Sequence, residues 1–235
     1  MLVGVDGCPA GWVAVIRDGQ EFRQLVSASF REILETTDDD AIIAVDMPIG
    51  LPDRIGAGGR GPERAIRPFL GARQSSVFSI PARPAIECDD YRETCRVALD
   101  TSDPARKVSR QGFNLFAKIR EVDALISPDL QERVREVHPE LAFCVLNGGS
   151  PMRTPKKVKG RVHPDGIDER RDLLVRSGIP ADFLAAGPAR GAASDDFIDA
   201  CACCLIAGRI AKGEARSHPA HPGRDARGLH VAIWA

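Results

Sequence analysis

The sequence predicts an α/β domain, and three observations carry that prediction. Leu2-Val3-Gly4-Val5 and Ala41-Ile42-Ile43-Ala44-Val45 are short, continuous apolar runs bounded by turn residues, the pattern of strands buried on both faces. Between them lie a second apolar run at 11–16, reached through a turn containing Gly7, Pro9 and Gly11, and a weakly alternating run at 21–26. Those runs read as a hairpin partner and a third antiparallel strand. Helical segments complete the pattern: a short one after Ser29 with Phe30, Ile33 and Leu34, and a long one from Ser194 to about Lys212.

At 235 residues the chain is long enough for one large α/β domain with an insertion. No apolar run approaches the ~20 residues of a membrane span. Met1 leads directly into strand-like sequence without a basic, cleavable leader, and the seven cysteines read as reduced thiols filling the core. The expectation is a cytoplasmic protein with no membrane partner. The net charge of -1 hides a segregation. Residues 1–50 carry a net -6 and residues 51–120 a net +5. The second region is suited to grip a polyanion while the first supplies metal-binding acid.

Residues 53–104 lack a strong period and are punctuated by glycine, proline and arginine. They read as an irregular basic insertion over the sheet edge within a single domain spanning 1–235. Arg67, Arg73, Ser75 and Ser76 in this stretch are candidate phosphate contacts. Apolar residues from 108 to 126 keep helical spacing and predict one helix from about Ala105 to Ile126, with Lys118 a further phosphate contact. Val134 to Glu140 alternates and reads as a strand ended by Pro139, placing Glu136, His138 and Glu140 on one face. Three ionisable groups on one strand face point to a site. Residues 147–166 form a loop with Lys156, Lys157, Lys159 and Arg161, either a mobile phosphate clamp or a solvated loop. A short helix is expected over 168–177, and a closing strand over 229–234.

Carboxylates supply the chemistry. Asp6 and Asp46 each end an apolar strand, and in neighbouring strands they meet at one sheet edge. Asp195 and Asp196 suit a helix first turn, with Asp195 assigned to capping. Asp199 lies beyond that turn among Ala and Cys, where a free carboxylate has no structural reward. Asp196 and Asp199, three apart, share a helix face. Asp6, Asp46, Asp196 and Asp199 are therefore the candidate metal ligands. Hard oxygen donors without a Cys/His set suit Mg²⁺ or Mn²⁺.

This layout resembles the RNase H-like fold, a three-layer α/β arrangement with a central mixed sheet and helices on both faces. More specifically, the chain resembles the family called domain of unknown function 429, a group of predicted nucleases with that fold. The motifs are Gly4-Val5-Asp6-Gly7 with Gly11-Trp12, Asp46-Met47-Pro48-Ile49-Gly50-Leu51, Ser75-Ser76-Val77-Phe78, Glu136-Val137-His138-Pro139-Glu140, and Asp195-Asp196 with Asp199-Ala200. The resemblance implies a metal-dependent nuclease acting on DNA or RNA by a two-metal mechanism, with homo-oligomerisation left open. Glu140 then serves as a further ligand or base, His138 orients water or steadies the leaving group, and Lys157 joins Arg67, Arg73 and Lys118 on phosphate. Two rival readings are an ATP-binding phosphotransferase of the actin/sugar-kinase type and a non-catalytic nucleic-acid adaptor.

Overall fold

A computed structural model describes residues 1–235 and shows a mixed α/β architecture around a five-stranded sheet. The chain begins with β1 (Leu2–Cys8), β2 (Gly11–Asp18) and β3 (Glu21–Ser27), an antiparallel meander, followed by α1 (Phe30–Thr36). Ser29 caps α1 by accepting the Glu32 N–H. The return strand β4 (Ile42–Val45) pairs parallel to β1. Residues 53–104 hold α2 (Gly61–Ile66), α3 (Arg83–Ile86) and α4 (Tyr91–Asp100), with two 3₁₀ turns after α2. The insertion is thus more ordered than its composition predicts. The α4 helix has Asp90 as its N-cap and buries Thr94, Cys95 and Ala98.

The helix expected from 105 to 126 is broken into α5 (Arg110–Phe113) and α6 (Phe116–Leu125). Ser109 caps α5 by accepting the Gly112 N–H, so helix begins only there, and the apolar Val108 precedes it. Next come β5 (Val134–Glu136), parallel to β4, and α7 (Pro139–Leu146). The alternation across Val134–Glu140 is therefore not one strand. Pro139 opens a helix at its first position, where its missing N–H costs nothing. Glu140 turns away onto α7 and does not share a strand face with Glu136.

Two-residue strands β6 (Lys157–Val158) and β7 (Arg161–Val162) form a small hairpin. The next helix, α8 (Pro164–Arg176), starts four residues earlier than expected, again on a proline. A short α9 (Ala181–Ala185) precedes α10 (Ser194–Ala211), and β8 (Ser217–His218) pairs with β9 (Ile233–Trp234) to close the chain. No helix is long and apolar enough to cross a membrane.

The sheet order is β3-β2-β1-β4-β5, with β1 at the centre. Alternate residues of β1 and β2 feed two separate cores. Val3, Val5, Trp12, Ala14 and Ile16 pack with α1, α6 and the insertion; Val13 and Val15 pack with α7, α8 and α10. Helices therefore cover both faces. The α10 helix is apolar nearly all round, burying Phe197, Ile198, Cys201, Cys203, Cys204 and Ile206. It lies directly on β1 because Gly4 has no side chain. A Cβ at Gly4 would sit 2.1 Å from both the Ala200 carbonyl oxygen and the Cys204 nitrogen. That close approach sets the height of Asp199 above the sheet.

Candidate metal centre

Asp6, Asp46 and Asp199 come from three elements to one point. Asp6 is near the end of β1 and Asp46 follows β4, with the Asp46 N–H donating to the Val5 carbonyl at 2.9 Å. Asp199 comes from the first turns of α10, across the strand ends. One carboxylate oxygen from each lies within 4.8 Å of the others. Asp6 and Asp199 are buried and Asp46 is partly buried. Asp6 Oδ1 accepts the Gly7 N–H at 2.7 Å. Asp199 Oδ1 is buried with no hydrogen-bond partner.

Three carboxylates this close are costly without a cation. Burial, then the Asp46 charge, raises the Asp6 pKa well above the usual carboxylate range. Burial pushes Asp46 up to about 6, with Lys156 lowering it and Asp196 raising it. The protein partly answers this repulsion itself: the Lys156 ammonium is ion-paired with Asp199 Oδ2. The orphaned Asp199 oxygen and the all-oxygen donor set fit a hard divalent ion.

Asp196 takes the capping role expected of Asp195, and Asp195 takes neither the capping nor the ligand role. Asp196 Oδ2 accepts the Ala193 N–H at 3.1 Å and caps α10, so it lies beside the cluster without joining the close trio. Asp195 is buried and ion-paired with Lys157. Ser194, a good N-cap by residue type, is already the first helical residue and Ala193 is the N-cap, which shifts the register of the first turn by one.

The carboxylates form one wall of a cavity of about 490 Å³. Arg73, Ser75, Ser76, Lys118 and His138 line it as expected, and Lys156 and Lys157 reach in from the hairpin. Lys118 donates to the Gly11 carbonyl and lies 4.7 Å from the Trp12 ring centroid, which fixes its direction. Arg73 makes no ion pair, and Ser76 Oγ donates to the Arg73 carbonyl at 2.8 Å. Burial, then the Lys156 charge, pushes His138 down to about 4, so its imidazole is neutral at pH 7.

Two expected site residues are committed elsewhere. Arg67 lies outside the cavity lining, donating to the Gly58 and Val77 carbonyls at 2.5 and 3.1 Å and to Ser79 Oγ at 3.0 Å. It ties the insertion together. Glu140 borders the cavity but is held by both oxygens, at 2.7 and 2.9 Å, to Nη2 of the fully buried Arg170. A carboxylate so paired is neither a free base nor an available ligand. Glu136 is likewise gripped by Arg60, which also bonds Glu63 and the Ile49 and Gly50 carbonyls. That buried network bolts the insertion to the end of β5.

Fold and site together define an α/β protein with a carboxylate trio at the strand ends of a mixed sheet. Residues 4–224 match the family described as "Protein of unknown function (DUF429)", and the chain belongs to that family. No curated protein and no solved structure matches the chain.

Proposed function

We propose that this protein is a metal-dependent nuclease with an RNase H-like fold, hydrolysing phosphodiester bonds of nucleic acid. The observation that carries the reading is the convergence of Asp6, Asp46 and Asp199 in a cavity also lined by Arg73 and Lys118, cations that have no carboxylate of their own. The antiparallel meander, parallel β4 and acidic α10 support the RNase H-like assignment. Asp6, Asp46 and Asp199 would hold Mg²⁺ or Mn²⁺. A divalent ion there supplies charge neutralisation at phosphate and a more acidic bound water.

The chain's own residues do the rest. Arg73 and Lys118, which line the same cavity as the carboxylates, bind the phosphate. Trp12 and the Gly11 carbonyl keep Lys118 aimed at the cavity. His138, held neutral at pH 7 by burial, orients water or the leaving oxygen by hydrogen bonding. Asp196 sustains the negative potential that draws a cation in. Arg170 keeps Glu140 out of the ligand set.

The test is hydrolysis of oligonucleotides and of a small diester, bis(4-nitrophenyl) phosphate, with each metal. Asp6→Asn, Asp46→Asn and Asp199→Asn should each reduce the rate by ~10²–10³, the loss typical of a preorganised electrostatic group. Metal-dependent melting without turnover on any substrate would replace this reading with the adaptor.

A further inference from the structure

The β6–β7 hairpin borders the cavity through Lys156 and Lys157, and its outer half is not used by the cation site. Residues 153–162 contain five cations, Arg153, Lys156, Lys157, Lys159 and Arg161, and no acid. The base of the hairpin is fixed. The Arg153 and Thr154 N–H groups donate to the Glu169 carboxylate at 3.0 and 2.9 Å. Arg170 donates to the Thr154 carbonyl at 2.9 Å, and the His163 N–H to the Lys156 carbonyl at 2.8 Å. Gly166 admits the chain, since a Cβ there would lie 2.1 Å from the Pro155 carbonyl oxygen.

Beyond that base the hairpin stands clear of the body. Every residue from Lys157 to Val162 is exposed, including Val158 at 44% and Val162 at 42%. Lys159 and Arg161 pair with no carboxylate. The register places Lys157 opposite Val162 and Val158 opposite Arg161, so each face presents one cation and one valine. Residues directly opposite in such a ladder point the same way, which puts an apolar contact beside each charge. At the hairpin's base Lys156 and Lys157 line the same cavity as Arg73 and Lys118, and Lys159 and Arg161 extend the run of cations beyond that lining.

We propose that this hairpin is an arm that binds a single nucleic-acid strand running out of the cleft. Lys159 and Arg161 engage backbone phosphates beyond the one at the carboxylates, and Val158, on the face of Arg161, gives an unstacked base an apolar contact. The inference rests on the nuclease reading for the strand's placement, and not for the binding itself. An arm with a rigid base and a free cationic tip holds the strand while the cleft engages a single phosphate.

The experiment uses the full chain and the double variant Lys159→Ala/Arg161→Ala, whose exposed positions spare the fold. Anisotropy of a fluorescent oligothymidylate or oligouridylate is measured across a salt series in EDTA. The slope of log affinity against log salt should become shallower by about 1.4, two single-strand contacts at ~0.7 each, with weaker binding at low salt. Mn²⁺-dependent melting and bis(4-nitrophenyl) phosphate hydrolysis should be unchanged. A slope equal to the wild type's, or no oligonucleotide binding by the wild type, overturns the arm even if the small diester is hydrolysed. Equal weakening toward polyglutamate also overturns it, since any polyanion would then do. Loss of slope with no diester hydrolysis by either protein keeps the arm and removes the nuclease.

Discussion

Gly4→Ala tests the link between fold and site, because one methyl group is placed where α10 rests on β1. The added Cβ would lie 2.1 Å from the Ala200 carbonyl oxygen and from the Cys204 nitrogen, where ordinary contact begins near 3.4 Å. Both neighbours are helix backbone, so the helix must retreat by about 1.3 Å, the difference between those distances. Overpacking of this kind costs about 1–3 kcal/mol or more. For a chain of this length each kcal/mol lowers Tm by about 2–4 °C, giving a fall of about 2–12 °C. Asp199 precedes Ala200, so the same retreat carries its carboxylate away from Asp6 and Asp46. The assay is thermal melting with and without Mn²⁺. The variant should melt lower and lose most of its response to the ion. Melting within a degree of wild type, with the Mn²⁺ response intact, would refute the claim that this contact positions the site.

Other outcomes follow from the same geometry. Arg170→Met leaves the buried Glu140 carboxylate unpaired, a loss of about 3–5 kcal/mol and roughly 6–20 °C in Tm; Glu140→Gln in that background should recover part of it, as thermal melting will show. A Glu140→Gln variant that keeps its stability but loses its metal response would instead make Glu140 a ligand. Burial raises the Asp46 carboxyl from 3.8 to about 6, so the folded, metal-free protein holds a proton that the unfolded chain releases between those values. Stability from this group therefore falls as pH rises through that window, and the Tm advantage of Asp46→Asn over wild type should grow from about pH 4 to about pH 7 in EDTA. His138, depressed to about 4, has the opposite sign but is present in both proteins and cancels in the difference. Arg73→Ala should weaken oligonucleotide binding with a shallower salt dependence while the Mn²⁺ titration is unaltered.

The strands that carry the site were legible because continuous apolar runs ending in a carboxylate have few structural explanations. Asp6 and Asp46 stand at such ends, and Asp199 is conspicuous among alanines and cysteines. The misreadings occur where one local signal fits two structures. Pro139 ends a strand as readily as it opens a helix, and only the bond from Arg170, thirty residues away, settles what Glu140 does. Ser194 is a good cap by type, yet it is the first helical residue and Asp196 takes the capping role. Lys156 carries no signal near it in sequence, since its partner lies on α10, far along the chain. Arg67 and Arg73 have the same composition around them, but only backbone geometry sends one to carbonyls and the other to the cavity.

The most direct measurement of the central claim is calorimetric titration of Mn²⁺ into Asp199→Asn and Asp195→Asn side by side. Both residues are buried on α10, and both pair with a hairpin lysine, so burial and charge change are matched. Only Asp199 belongs to the trio with Asp6 and Asp46. Outer-shell partners of a bound metal are worth ~10–100-fold in affinity, so loss of a direct ligand should weaken Mn²⁺ binding by at least ~10². Asp195→Asn should bind Mn²⁺ close to the wild-type Kd. Equal binding by the two variants, or weaker binding by Asp195→Asn, would contradict the account.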